Sequence, residues 1–267
     1  MLDPSTPGRA NPEWISQADI TLARHVIERY EIPSKNPGVY GNPGASPGQL
    51  EFQKMFFSRK YQFMFAAGSN QSAKTVCVGG LCFCKHLRDH ARNGDVYWAI
   101  AQSHETMRDI PHKTIWEFLP RSMFQTGLEY NPRTGFGMIS TLNLILPDDR
   151  GRCEVWFKVE EAGVDKFESA RLNGLWWTEC TRETIWDALQ PRLVARGGWV
   201  VADYVSVYPW LKYRWRLKAH PQIQESKMYW QLFTMPLNAH NLSEGSIETA
   251  CENLTEEQAR IRVYGEE

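Results

Sequence analysis

The residues with the most chemical promise stand together at Gly68-Ser69-Asn70-Gln71-Ser72-Ala73-Lys74-Thr75. A glycine, four residues, a small residue, then lysine and a hydroxyl is the spacing of a phosphate-binding loop, provided a strand precedes it and a helix follows. Small residues let backbone N–H groups point inward around phosphate oxygens. The start of the following helix adds favourable partial charge. Lys74 is placed to reach the β- and γ-phosphates of ATP, and the Thr75 hydroxyl to ligate Mg²⁺. Ala73 stands where a second glycine is usual. A methyl group is tolerated there if the residue is right-handed helical and is strained if φ is positive.

Hydrolysis requires a second strand beside the loop, ending in carboxylates that hold the metal and polarise the attacking water. The segment Gly174-Leu175-Trp176-Trp177-Thr178-Glu179 fits, with Glu179 as the base. Thr178 occupies the place expected for a metal-side Asp and would act through a metal-bound water. Mg²⁺ would then rest mainly on Thr75, phosphates and water. The alternative source of the missing carboxylate is Asp203, at another strand's end.

The elements needed to position these residues are legible around them. Residues 61–67 read as a buried strand and 75–90 as a helix, so the loop has the required flanks. Further strands are expected at 95–101, 175–178, 198–207 and 228–234, with helices at 14–31, 105–118, 183–194, 243–253 and 255–263. Residues 141–146 and 153–159 bracket Pro147-Asp148-Asp149-Arg150-Gly151, which reads as a hairpin. Strands alternating with helices predict an α/β fold: a mainly parallel sheet flanked by helices on both faces.

The chain has 267 residues, 42% of them hydrophobic, enough for a sizeable core. A net charge of −1 excludes a surface that wraps nucleic acid all round, so DNA contact would need local patches such as Arg214, Arg216 and Lys218, or a ring of subunits. Tyr213 and Trp215 interleave with these. Eleven Trp and ten Tyr leave room for contact surfaces beside the core. The six cysteines show no zinc-ligand spacing, which predicts free thiols in a cytosolic protein. No apolar run approaches the length of a membrane span.

In this order the motifs resemble the ATPase domain of the large terminase subunit, the DNA-packaging motor of tailed bacteriophages. The resemblance covers residues 45–267. It runs from Pro47-Gly48-Gln49-Leu50-Glu51-Phe52 through the loop, the 96–108 strand and helix, the hairpin, Arg171-Leu172-Asn173-Gly174, and residues 186–199. It ends at Leu254-Thr255-Glu256-Glu257-Gln258 and the residues up to Gly265.

The resemblance implies a P-loop NTPase of the ASCE (additional-strand, catalytic-glutamate) type, with ATP and Mg²⁺ as cofactors. It implies Gln49 as adenine reader, ATP on Gly68, Ser69, Asn70, Gln71, Ser72, Ala73, Lys74 and Thr75, and Ser206 as coupling residue. Gln71 stands where the family often has Arg. A trans-acting arginine is expected from a neighbouring subunit, with Arg171 first and Arg192 and Arg196 in reserve.

The implied setting is the host cytoplasm. The implied partners are double-stranded DNA, a portal protein, a small terminase subunit and further copies in a ring, with no membrane. Residues 1–44 fall outside the resemblance and read as an N-terminal arm and helix. The family's nuclease domain would begin where the chain stops, so no nuclease activity is expected of it. Two other readings share the loop: a helicase-like P-loop motor, and a nucleotide-binding subunit with weak hydrolysis. Ala73, Gln71 and Thr178 all point toward the second.

Overall fold

The computed structural model describes residues 17–27, 30, 32–37, 39–41, 43–168, 170–205, 207–216 and 227–266. Ser206 and Lys218 lie outside the described residues.

Seven strands form one sheet: β1 (Phe63–Gly68), β2 (Val96–Ala101), β3 (Thr141–Ile145), β4 (Arg152–Val159), β5 (Gly174–Thr178), β6 (Trp199–Tyr204) and β7 (Met228–Phe233). Their order is β3-β4-β2-β5-β6-β1-β7. Every neighbouring pair is parallel except β3 and β4. β5 and β6 are buried at every position, which is why β5 is apolar up to Thr178 and β6 up to Asp203. The β3–β4 hairpin turns through Asp148 and Asp149, both left-handed at φ 57°. Such a turn matches the twist of a hairpin.

The order corrects one expectation. β5 does not lie beside the loop strand. β6 separates it from β1, pairing with β1 through Phe63↔Val200 to Ala67↔Tyr204 and with β5 through Gly174↔Trp199 to Thr178↔Asp203. The single helix between β5 and β6 suits a direct parallel crossover, so β6 docks on β5 and carries β1 on its far side.

The helices are α1 (Gln17–Val26), α2 (Pro47–Phe57), α3 (Val76–Cys84 running into Lys85–His90), α4 (His104–Met107, Arg108–His112 and Lys113–Phe118 in series), α5 (Glu183–Val194), α6 (Pro209–Leu211 running into Lys212–Arg216), α7 (Ser246–Glu252) and α8 (Glu256–Arg262). α3 is π-wound over its first nine residues. Its Gly79 lies against Trp176, where a Cβ would come within 2.4 Å of the indole. α2 opens with a capping box between Ser46 and Gln49 and a proline in its first turn.

Neighbouring residues on a strand feed opposite faces of the sheet. Met64 and Trp176 join Phe52, Phe56, Leu81 and Phe83 on one side. Phe65 and Trp177 join Trp98, Trp186 and Trp215 on the other. Trp215 stacks on Phe65 with ring centroids 4.0 Å apart. Much of the tryptophan content is therefore core. α1 packs on the body of the domain through Val26, which is buried in the first cluster, and beyond it Tyr30 meets Phe118 at 5.3 Å.

Among the described residues no helix is long and apolar enough to cross a membrane. The six cysteines are free, five of them buried.

Candidate nucleotide site

The parallel strands β1, β5, β6 and β7 end on one edge of the sheet, and the loop from Gly68 to Thr75 rises from that edge. Open parallel sheets place their ligands there, because the loops leave the carboxyl ends of the strands and the helix starts face inward. Gly68 is required by packing: a Cβ would fall 1.8 Å from the Phe233 carbonyl oxygen of β7. Ser69 N–H donates to that oxygen at 2.9 Å. Asn70 N–H donates to the Arg262 carbonyl at 2.8 Å, so the end of α8 braces the loop. Asn238 Nδ2 donates to Gln71 O at 2.7 Å. Ala73 is left-handed at φ 62° and Gln71 at φ 49°. The conformation is the one that a methyl group disfavours, so Ala73 is a strained residue in a glycine position.

Lys74 is buried, and its Nζ donates to Ser69 O at 2.8 Å. Burial lowers its pKa, and the charges of Glu179 and Asp203 pull it back up. Thr75 Oγ1 donates to Asp203 Oδ2 at 2.7 Å. Thr178 Oγ1 donates to the same oxygen at 3.0 Å, and Trp176 Nε1 donates to Oδ1 at 2.8 Å. Asp203 is fully buried, and burial raises its pKa against the opposing pull of these donors and of Lys74. Asp203 is thus the carboxylate beside the loop hydroxyl, the alternative source read from the sequence. Thr178 supports it.

Glu179 follows β5 in a left-handed conformation, φ 49°, and its N–H donates to Asp203 O at 2.9 Å. Its carboxyl is half-buried. Burial raises its pKa, Lys74 lowers it and Asp203 raises it further. A backbone held in a rare region beside the expected base is the kind of strain that clusters at working sites.

One contributor escaped the sequence reading. Glu160, at the end of β4, is fully buried. Its Oε1 accepts from Trp177 Nε1 at 2.7 Å and Thr181 N at 3.0 Å, and its Oε2 from Thr181 Oγ1 at 2.5 Å. Arg182 Nη1 donates to its carbonyl at 3.0 Å. It clamps the turn that carries Glu179. No local pattern marks it, since its partners are distant in sequence.

Other expected residues fall in several places. Gln49 is buried, and its Oε1 accepts from Ser46 N at 2.8 Å, so the carbonyl end caps α2. Its Nε2 has no partner among the described residues. The Ser-x-x-Gln spacing signals that cap in the sequence. Beside it, a pocket of about 140 Å³ opens between Ser46, Gly48, Ser72, Phe233 and Leu237. Arg171, Arg192 and Arg196 flank the amino-terminal ends of β5 and β6, at the sheet edge opposite their own loop. Arg171 is exposed, while Arg196 donates to Asn173 Oδ1 at 2.6 Å. In the basic segment, Arg214 pairs with Glu183 at 2.7 Å and Asp187 at 3.1 Å, and Trp215 is core. That leaves Lys212 and Tyr213 outward there.

Hard oxygen donors beside a phosphate loop fit Mg²⁺. Thr75 and Asp203 are the residues that would face it. Among the described residues no group of three His, Cys, Asp or Glu side chains could hold a metal alone. Phosphates and water would complete its shell, a common arrangement for this ion.

By sequence, no family model matches the chain and no characterised protein matches it. By structure, it is similar to the large terminase of a thermophilic bacteriophage in complex with ADP (TM-score 0.66, 13% identity), over 82% of this chain and 52% of that one. It is similar to the large terminase ATPase domain of Thermus phage P74-26 (TM-score 0.58, 16% identity), over 80% and 92%. It is similar to the large terminase of bacteriophage HK97 (TM-score 0.53, 14% identity), over 82% and 47%. The fold is that of a large terminase ATPase domain. The chain spans about half the length of the ADP-bound terminase and of the HK97 protein, and nearly all of the P74-26 domain.

Proposed function

We propose that the chain binds ATP on residues 68–75 and hydrolyses it, as the ATPase domain of a viral motor that drives double-stranded DNA into a procapsid. One observation carries the reading. A phosphate-loop lysine, a loop hydroxyl, a buried carboxylate and a second, strained carboxylate converge on the sheet edge where this fold places its ligand. The fold's likeness to large terminases supplies the motor context, and one of those terminases is described with ADP.

In the proposed reaction, loop N–H groups and Lys74 balance phosphate charge, while Glu179 takes a proton from the attacking water. Mg²⁺, when bound, supplies further charge neutralisation at the phosphates. Thr75 and Asp203 would hold it. Glu160 holds the turn from which Glu179 projects. Arg171, remote from its own loop, would act on a neighbouring copy. Such an arginine contributes about 10³–10⁵ in rate.

The role extends to partners as proposals: DNA, a portal protein, a small terminase subunit and further copies in a ring. The 45–267 segment is the proposed ATPase unit, and no nuclease chemistry is assigned to it.

The test is phosphate release by the purified chain, alone and with double-stranded DNA. Turnover that Lys74→Ala and Glu179→Ala each abolish supports the reading. Undiminished turnover in Glu179→Ala overturns the base assignment. Nucleotide binding undiminished in Lys74→Ala overturns the loop assignment.

A further inference from the structure

Where phosphate loops of this kind bind Mg²⁺, the carboxylate serving the metal usually ends the strand that carries the catalytic glutamate. Here that strand is β5 and its last residue is Thr178. We propose that the metal-side carboxylate has crossed one strand: Asp203 of β6 serves the Mg²⁺ position, and Thr178 has become its hydroxyl support. The inference rests on the nucleotide reading above and concerns which strand carries the charge.

Three observations carry it. Thr178 and Asp203 are direct register partners on parallel strands, so the exchange places the two side chains side by side on the same face. The Oδ2 atom of Asp203 accepts from both Thr75 Oγ1, the loop's own metal-side hydroxyl, at 2.7 Å and Thr178 Oγ1 at 3.0 Å. Asp203 is fully buried, and the groups that touch its carboxylate are two hydroxyls and an indole, with no cation hydrogen-bonded to it among the described residues. A carboxylate accepts all three of these bonds, and at a desolvation cost it holds a negative charge beside the loop hydroxyl and Lys74, where a metal ion would add to the charge balance.

The arrangement has a mechanical consequence. β6 lies between the loop strand β1 and the glutamate strand β5. A metal held from β6 ties the phosphate side of the site to the strand that runs on into Val205. In the usual arrangement that tie passes through β5.

The experiment measures the affinity of a non-hydrolysable ATP analogue in EDTA and in Mg²⁺. Mn²⁺ binding is measured in parallel by electron paramagnetic resonance in the presence of the analogue. Asp203→Asn keeps the side-chain shape and removes the charge, with its oxygen accepting from Trp176 and the two hydroxyls reversed to accept from its NH2. It should keep the EDTA affinity and lose the Mg²⁺-dependent tightening by about 10-fold or more. The reciprocal exchange, Thr178→Asp with Asp203→Thr, should regain Mn²⁺ binding that Asp203→Thr alone lacks.

Wild-type metal dependence in Asp203→Asn overturns the inference. So does an exchange variant that melts like the wild type and binds Mn²⁺ no better than Asp203→Thr. Failure of the wild type to bind the analogue under either condition overturns the nucleotide reading itself, a separate result.

Discussion

Replacing Ala73 by glycine should stabilise this protein, against the usual direction of that substitution. Ala73 is left-handed at φ 62°, a conformation that costs a residue bearing a Cβ about 1–2 kcal/mol. Glycine escapes that cost but gives back about 0.5–1 kcal/mol through its freer unfolded chain. The methyl is only half-buried, so its lost contacts subtract little. The net gain is about 0.5 kcal/mol or slightly more. For a chain of this size that raises the Tm by about 1–3 °C.

Thermal unfolding followed by circular dichroism, with and without nucleotide, is the assay. Ala195→Gly is the control, because Ala195 is exposed and right-handed at φ −64°. It should lower the Tm by a comparable amount. If Ala73→Gly lowers the Tm as the control does, the loop is not held in the left-handed geometry and the strain argument fails.

Further outcomes follow from the same site and core. Glu160→Gln should lower kcat with little change in KM, because Glu160 holds the Glu179 turn rather than the nucleotide. An equal loss in KM, measured by steady-state kinetics, would refute that role. Glu160→Ala should destabilise by about 2 kcal/mol or more in denaturant titrations, since it strands buried donors of Trp177 and Thr181. Burial raises the pKa of Asp203. A carboxyl raised in the folded state adds stability below its unfolded pKa and loses that contribution as pH rises through the folded value. Asp203→Asn should therefore weaken the gain in apo-protein stability as pH falls from neutral toward the ordinary carboxylate range. A profile identical to wild type refutes the assignment. Burial and the nearby Arg59 push the His86 pKa down to about 3. Its stability contribution is present above the unfolded value of 6.5 and is lost as pH falls from there through about 3. His86→Gln should flatten that limb of the chemical-denaturation profile.

Local chemistry made much of this molecule readable from the sequence. The loop from Gly68 to Thr75 follows a spacing that backbone geometry demands, so its strand and helix flanks could be read beside it. Unbroken apolar runs marked β1, β2 and β5, because a strand buried on both faces has no polar side to show. Asp148 and Asp149 marked the hairpin turn through their tolerance of left-handed backbone. Ser46 and Gln49 carried a capping-box signal that the adenine reading passed over.

Tertiary structure decided what depends on pairs distant along the chain. The placement of β6 between β1 and β5 is a matter of sheet order, which periodicity does not encode. That placement sets Asp203 against Thr75 and Thr178, so that a carboxylate of β6 faces the loop hydroxyl beside Thr178. Glu160 is unremarkable in its own segment and becomes a clamp only when β4 brings it to Trp177 and Thr181. The sign of φ at Ala73 was an open alternative until Phe233, Arg262 and Asn238 braced the loop from elements far along the chain. Residue types and short spacings set the chemistry available to this chain, whereas long-range packing chose which groups meet.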